Sequence, residues 1–221
     1  AKDYCASWLA IRDAADVIQQ FSWEYSDEEL EELLQKLSKE IIPTIPTNYK
    51  GTDNKVVVID DWCTSYVLVL QYIDALVAAG KEILYITSKD IENCNYKNII
   101  DTIKDYPKLQ YIVSPSNKKT VDKWSQEKYN KIIDFQPTKI VAHISCYSPF
   151  LPCLYSIPEG LLIYRSNLDD QVFWLGTKAI DYCLEFRPFG VAVSRDRRKL
   201  QNNQQLYVPF YPIKDGNAFQ G

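Results

Sequence analysis

The stretch Lys55 to Asp60 reads KVVVID, a short unbroken apolar run rich in β-branched residues, and it constrains the fold more than any other segment. A strand covered on both faces reads this way, because neither set of alternating side chains meets water. Tyr66 to Ala79 (YVLVLQYIDALVAA) then repeats apolar residues at helical spacing and stops at Gly80, the position after a helix where a left-handed residue is favoured. Ile83 to Thr87 (ILYIT) is a second buried strand. Strand, helix and strand within about 30 residues make a βαβ unit.

The alternation continues. A short helix is expected over Asn98 to Asp105, a strand over Leu109 to Val113, a helix over Val121 to Phe135 and a strand over Lys139 to His143. Leu161 to Tyr164 is a strand, Gln171 to Lys178 a helix, and Tyr182 to Phe186 a sixth strand, followed by a helical or irregular basic stretch. The expected fold is α/β: a Rossmann-like parallel sheet with helices on both faces. Ahead of it, residues 2–20 and a segment capped by Ser26 and ended by Pro43 and Pro46 predict two helices, so residues 1–50 read as a helical appendage. Residues 51–212 form the α/β domain, and two late prolines and a polar tail make 213–221 the start of a linker.

Composition excludes some functions. A net charge of −4 is not the footprint of a nucleic-acid binder. No apolar run approaches the ~18 residues of a membrane span, and the N-terminus does not resemble a signal peptide. The six cysteines show no CxxC pair and read as free thiols of a cytoplasmic protein. Because the chain contains no Met, it is expected to be processed or truncated.

In open parallel sheets, ligands bind outside the carboxyl ends of the strands. The residues after each strand are therefore the site candidates, among them Asp60 and Asp61. His143, the only histidine, ends its strand and reads either as a structural residue or as a general base at the cleft rim. No second His or Cys lies at ligand spacing, so no metal is expected. Arg165, Asn167, Asp169 and Asp170 fall within one turn. One of the two acids suits a helix cap; together the group suits paired sugar hydroxyls. Arg195, Arg197 and Arg198 read either as a solvated helix face or as a site for phosphate or anionic lipid. Neither GxGxxG nor GxxxxGK[ST] occurs, which argues against a nicotinamide oxidoreductase on the same scaffold.

Asn167-Leu-Asp-Asp-Gln-Val-Phe-Trp-Leu-Gly176, followed by Asp181-Tyr-Cys-Leu-Glu-Phe-Arg187 and Ser194-Arg-Asp-Arg-Arg198, resembles a group of bacterial GT-B type glycosyltransferases with the order NxxDHxFWLG, DxxxEFR and a serine–arginine stretch. Val57 to Ser88 resembles their first βαβ unit, and the likeness spans roughly residues 55–212. It implies the N-terminal half of a GT-B fold, which binds a glycan or lipid-linked acceptor and faces a donor-binding C-terminal domain of the same protein. It also implies a nucleotide-sugar co-substrate, no resident cofactor, and a fragment that does not turn over alone. By this likeness Asp170 or His143 acts as base, and Arg165, Asn167, Asp169, Gln171, Asp60 and Asp61 surround the acceptor. Gln171 stands where the group has His; an amide cannot take and release a proton near neutral pH. Loss of that base leaves a second reading, a non-catalytic sugar- or protein-binding α/β module.

Overall fold

The computed structural model describes residues 2–21, 23–62, 66–89, 94–116 and 120–208. Two helices, α1 (Tyr4–Phe21) and α2 (Glu28–Ile41), precede the alternating part. That part runs β1 (Thr52–Asp60), α3 (Tyr66–Ala78), β2 (Glu82–Thr87), α4 (Cys94–Ile103), β3 (Leu109–Val113), α5 (Val121–Phe135) and β4 (Pro137–His143). It continues with a single turn, α6 (Leu151–Leu154), then β5 (Leu162–Ser166), β6 (Tyr182–Glu185), α7 (Pro188–Asp196) and β7 (Gln205–Tyr207). The strands form one seven-stranded sheet in the order β3-β2-β1-β4-β5-β6-β7, and each pairing is parallel. The chain is thus a Rossmann-like α/β domain with N-terminal helices.

Side-chain alternation along the central strands divides the core. Val57 and Ile59, Leu84 and Ile86, and Ile140 and Ala142 point to one face; Val58, Ile83 and Tyr85 point to the other. The second face is covered by α3 and α4 through Val69, Ile73, Ile99 and Ile103. The first is covered by α5, α6 and both N-terminal helices: Trp8, Ile11 and Ala15 of α1 and Leu34, Leu37 and Ile41 of α2 join the same buried cluster as β1. The first 41 residues therefore belong to the main core and contribute six of its buried residues, at roughly 1.5–3 kcal/mol per fully buried large apolar side chain.

Local signals hold where they are strong. Gly80 ends α3 at φ +70, with its N–H on the Val77 carbonyl and Lys81 N–H on Leu76, the double closure of a Schellman motif. Two expectations need correction, and two elements go unmarked in the sequence. Asp27, not Ser26, caps α2, accepting from Leu30 N–H at 2.8 Å. The turn α6 was not legible in the sequence. Gln205–Tyr207 adds a seventh strand, β7, beside β6, which the sequence pattern does not mark. Residues 171–178 are not a helix.

That last segment wraps Phe173, Trp174 and Leu175 into the core at 1%, 0% and 0% exposure. Its carbonyls go to two guanidiniums instead of a helical ladder. Arg165 Nη1 donates to Leu175 O at 2.8 Å, and Arg198 Nη2 donates to Asp169 O (3.0 Å), Asp170 O (3.2 Å) and Val172 O (2.6 Å). Gly176 sits at φ +101, where a Cβ would lie 2.7 Å from Leu151 Cδ2. The glycine closing Phe-Trp-Leu-Gly is thus required by backbone sign and by space. Cys63, the side chain of Cys94 and residues 213–221 lie outside what the structure describes; Cys5, Cys146, Cys153 and Cys183 are free thiols.

Candidate functional site

The sheet order places its switch point between β1 and β4, where the chain's crossovers diverge and a cleft is expected at the carboxyl edge. Asp60 and His143 end these two strands as register partners, and Asp61 N–H continues the ladder to His143 O at 3.1 Å. Both carboxylates here are buried. Asp60 accepts from Tyr85 Oη at 2.8 Å and Trp62 N–H at 3.1 Å, and burial pushes its pKa up to about 7. Asp61 accepts from Ser145 N–H at 2.5 Å and Ser145 Oγ at 3.3 Å; burial raises it too. Asp61 therefore tethers the loop after β4 to the end of β1 rather than facing a ligand.

His143 is 1% exposed, and neither ring nitrogen has a protein partner. Tyr72 lies edge-on, with ring centroids 6.2 Å apart, and the Tyr72 hydroxyl pairs with Ser166 Oγ at 3.0 Å. Burial lowers the imidazole pKa to about 3, so it is neutral and a weak proton acceptor at pH 7.

These two groups act oppositely on stability. The folded pKa of Asp60, about 7, lies above its ordinary 3.8, so its contribution is complete below 3.8 and lost as pH rises through 7. The folded pKa of His143, about 3, lies below its ordinary 6.5, so its contribution is complete above 6.5 and lost as pH falls toward 3. Melting curves across pH should show wild type losing stability relative to Asp60→Asn as pH rises from about 4 to 7. Relative to His143→Phe, wild type should lose stability as pH falls from about 6.5 to 4. Parallel curves for either pair would refute the assignment.

The turn after β5 is spent on structure. Arg165, 1% exposed, stacks on Trp174 with its guanidinium carbon 3.9 Å from the ring centroid and reaches Ser145 O at 3.4 Å. Asn167 donates to Glu185 Oε2 (2.8 Å) and to Ser194 Oγ (3.3 Å), clasping β6 and α7. Asp169 accepts from the Cys146 thiol at 3.2 Å, and burial raises its pKa. Asp170, 2% exposed, forms a two-point ion pair with Arg187, with Nε at 2.9 Å and Nη2 on its other oxygen.

The basic stretch does not assemble one anion site. Arg195 pairs with Asp196 at 2.7 Å, and Arg197 donates to Trp23 O at 2.8 Å. Arg198 is 3% exposed, lies 4.8 Å from the Trp174 ring, and is lowered by burial to about 10, which leaves it charged at pH 7. Gln171 is different: it is exposed and lines a concavity of about 490 Å³ with the end of α1 and the segment before α2.

A second concavity, about 220 Å³, lies at the carboxyl edge of β2, β3 and β4. Lys89, Ser116, Ser145 and Tyr147 line it from the strand ends, and Trp8 and Arg12 of α1 close it. Lys89, the hydroxymethyl groups of Ser116 and Ser145, and Arg12, which is itself paired with Asp13 at 2.6 Å, surround a small cleft that suits sugar hydroxyls. Ser116, Ser145 and Tyr147 follow strand ends, where ligand-binding residues are expected; Arg12 was missed because α1 read as an appendage. Its signal was its place four residues after Trp8, on the same face of α1. Among the described residues, no His, Cys, Asp and Glu side chains are grouped to hold a metal ion, and no helix is long and apolar enough to cross a membrane.

No protein-family model matches the chain, and no curated protein matches it.

Proposed function

We propose that this chain is the acceptor-binding half of a GT-B type glycosyltransferase, which holds a glycan or lipid-linked hydroxyl for attack on a nucleotide-sugar. The observation that carries this reading is the small cleft of Lys89, Ser116, Ser145, Tyr147 and Arg12 at the carboxyl edge of an all-parallel 3-2-1-4-5-6-7 sheet. Such an edge is where this class of sheet binds its ligand. The residues of the NxxD, FWLG and EFR pieces support the same reading as scaffolding. They pack and hydrogen-bond with one another beneath the edge, so they set the shape of the acceptor surface.

In the proposed reaction the acceptor oxygen forms a bond to the anomeric carbon, the bond from that carbon to the nucleoside phosphate breaks, and the acceptor proton passes to a base. Gln171 orients a hydroxyl by its amide and takes no proton. Asp170 directly precedes Gln171 and is the acid proposed as base; its carboxylate is paired with Arg187. The test is sugar transfer from uridine- and guanosine-diphosphate sugars to oligosaccharide primers by the polypeptide that carries this chain. Transfer without added divalent metal is expected, and Asp170→Asn is expected to lower it by about 100-fold or more. Unchanged turnover in that variant removes Asp170 from the reaction, and absence of both transfer and saccharide binding overturns the reading.

A non-catalytic saccharide- or protein-binding module is the second reading. The two-point pair between Asp170 and Arg187 favours it, since both carboxylate oxygens are already engaged. Saccharide binding with no transfer in the same assay would select it.

A further inference from the structure

The 490 Å³ concavity beside Gln171 is built from residues that the packing of the domain does not require. Trp23 is 88% exposed and Phe21 81% exposed, yet both line it together with Tyr25. Single exposed apolar side chains are ordinary. Three aromatic residues around one hollow, with the amides of Gln19, Gln20 and Gln171 in the same lining, are a different pattern.

The hollow is also held in shape. Arg197 donates to the Trp23 carbonyl at 2.8 Å, and the Tyr25 ring lies 5.1 Å from the Arg197 and 5.3 Å from the Arg198 guanidinium carbon. Gln20 Nε2 is fixed on Asp16 at 3.0 Å, and Gln19 Nε2 lies 3.4 Å from Cys146 Sγ. Each of those amides keeps a carbonyl oxygen as acceptor, and preformed walls lower the ordering cost of binding. Its volume falls in the ~300–1,000 Å³ range of clefts that take small ligands.

From this geometry we infer that the concavity is a saccharide subsite, in which Trp23 and Phe21 receive the C–H faces of pyranose rings and the three amides meet their hydroxyls. Aromatic faces are electron-rich and attract polarised C–H groups, while an amide offers a donor and an acceptor side by side to vicinal hydroxyls. Gln171 directly follows Asp170, so the subsite continues the carboxyl edge of the sheet onto the N-terminal helices. The inference rests on the acceptor reading and adds to it a second contact region outside the small cleft.

The experiment is a titration of the full chain, by calorimetry and tryptophan fluorescence, with neutral trisaccharides of glucose, galactose, mannose and N-acetylglucosamine. At least one is expected to bind and to perturb tryptophan emission. Trp23→Ala is expected to weaken that binding by about tenfold or more, with Gln171→Ala a smaller loss. The high exposure of Trp23 keeps the fold out of the result, and an unchanged melting curve checks this. If a saccharide binds wild type and Trp23→Ala equally, this subsite is wrong while the acceptor reading stands. If no saccharide binds wild type, the subsite falls, and the transfer assay decides the acceptor reading. Self-association that disappears in Trp23→Ala, without saccharide binding, would replace the sugar with a second copy of the chain.

Discussion

Trp174→Ala is expected to lower stability by about 4–5 kcal/mol, near the upper end for truncating a buried aromatic. The indole is fully buried and lies against two guanidiniums, Arg165 at 3.9 Å and Arg198 at 4.8 Å. Removing it leaves a cavity and also strips the ring face from two buried cations. Cation–π contacts contribute up to ~2 kcal/mol when desolvated. Both arginines hold the carbonyls of the loop that carries Trp174, so the damage extends from Asp169 to Leu175. For a domain of this size each kcal/mol shifts the midpoint by roughly 2–4 °C, so calorimetry should record a fall of about 10–20 °C. Trp174→Phe keeps a ring between the cations and should recover much of the loss. A midpoint within about 3 °C of wild type in the alanine variant would show that the loop is not part of the cooperative core.

Glu31→Ala should cost about 3 kcal/mol, since buried hydrogen bonds to a charged group are worth ~1.5–3 kcal/mol and several are lost together. Glu31 lies in α2 at 1% exposure. Its carboxylate accepts the backbone N–H groups of Gly176 (2.8 Å), Thr177 (3.2 Å) and Lys178 (3.4 Å), and the Tyr155 hydroxyl. One side chain thus ties the N-terminal helices to the loop after Trp174. Glu31→Gln keeps one acceptor oxygen but turns an NH₂ toward donors, so it should lie between alanine and wild type. Burial raises the Glu31 pKa above its ordinary 4.5, so its contribution is complete below that value and lost as pH rises through the raised one. Wild type should therefore lose part of its advantage over Glu31→Gln as pH rises above 4.5. Equal chemical-denaturation midpoints for Glu31→Ala and wild type at pH 7 would count against the clamp.

The two variants mark where reading along the chain stopped. Residues 171–178 looked helical because Val172, Phe173, Trp174 and Leu175 form an apolar run after possible caps. They fold as a loop because Arg165 and Arg198 take the carbonyls a helix would use. Glu31 carries no signal along the chain, because its backbone partners lie 145–147 residues away. Asn167, Asp169 and Asp170 looked like sugar-binding groups because they share a turn at the right edge. Only their burial reveals that Glu185, Cys146 and Arg187 already engage them. The exposed aromatics at Phe21 and Trp23 carried no signal at all, because an apolar residue at a helix end reads as packing.

What the sequence by itself determined is the alternation of elements and, with it, the parallel sheet. The spans Leu109–Val113 and Val121–Phe135 are found where the pattern puts them. Periodicity of apolar residues is a local property, and local spacing suffices to choose strand or helix. Only the tertiary structure decided that α1 and α2 share the main core, and which polar side chains are consumed inside and which face a cleft. A carboxylate, amide or guanidinium has the same composition in either role, and its role is set by the partner that long-range packing brings within hydrogen-bonding distance.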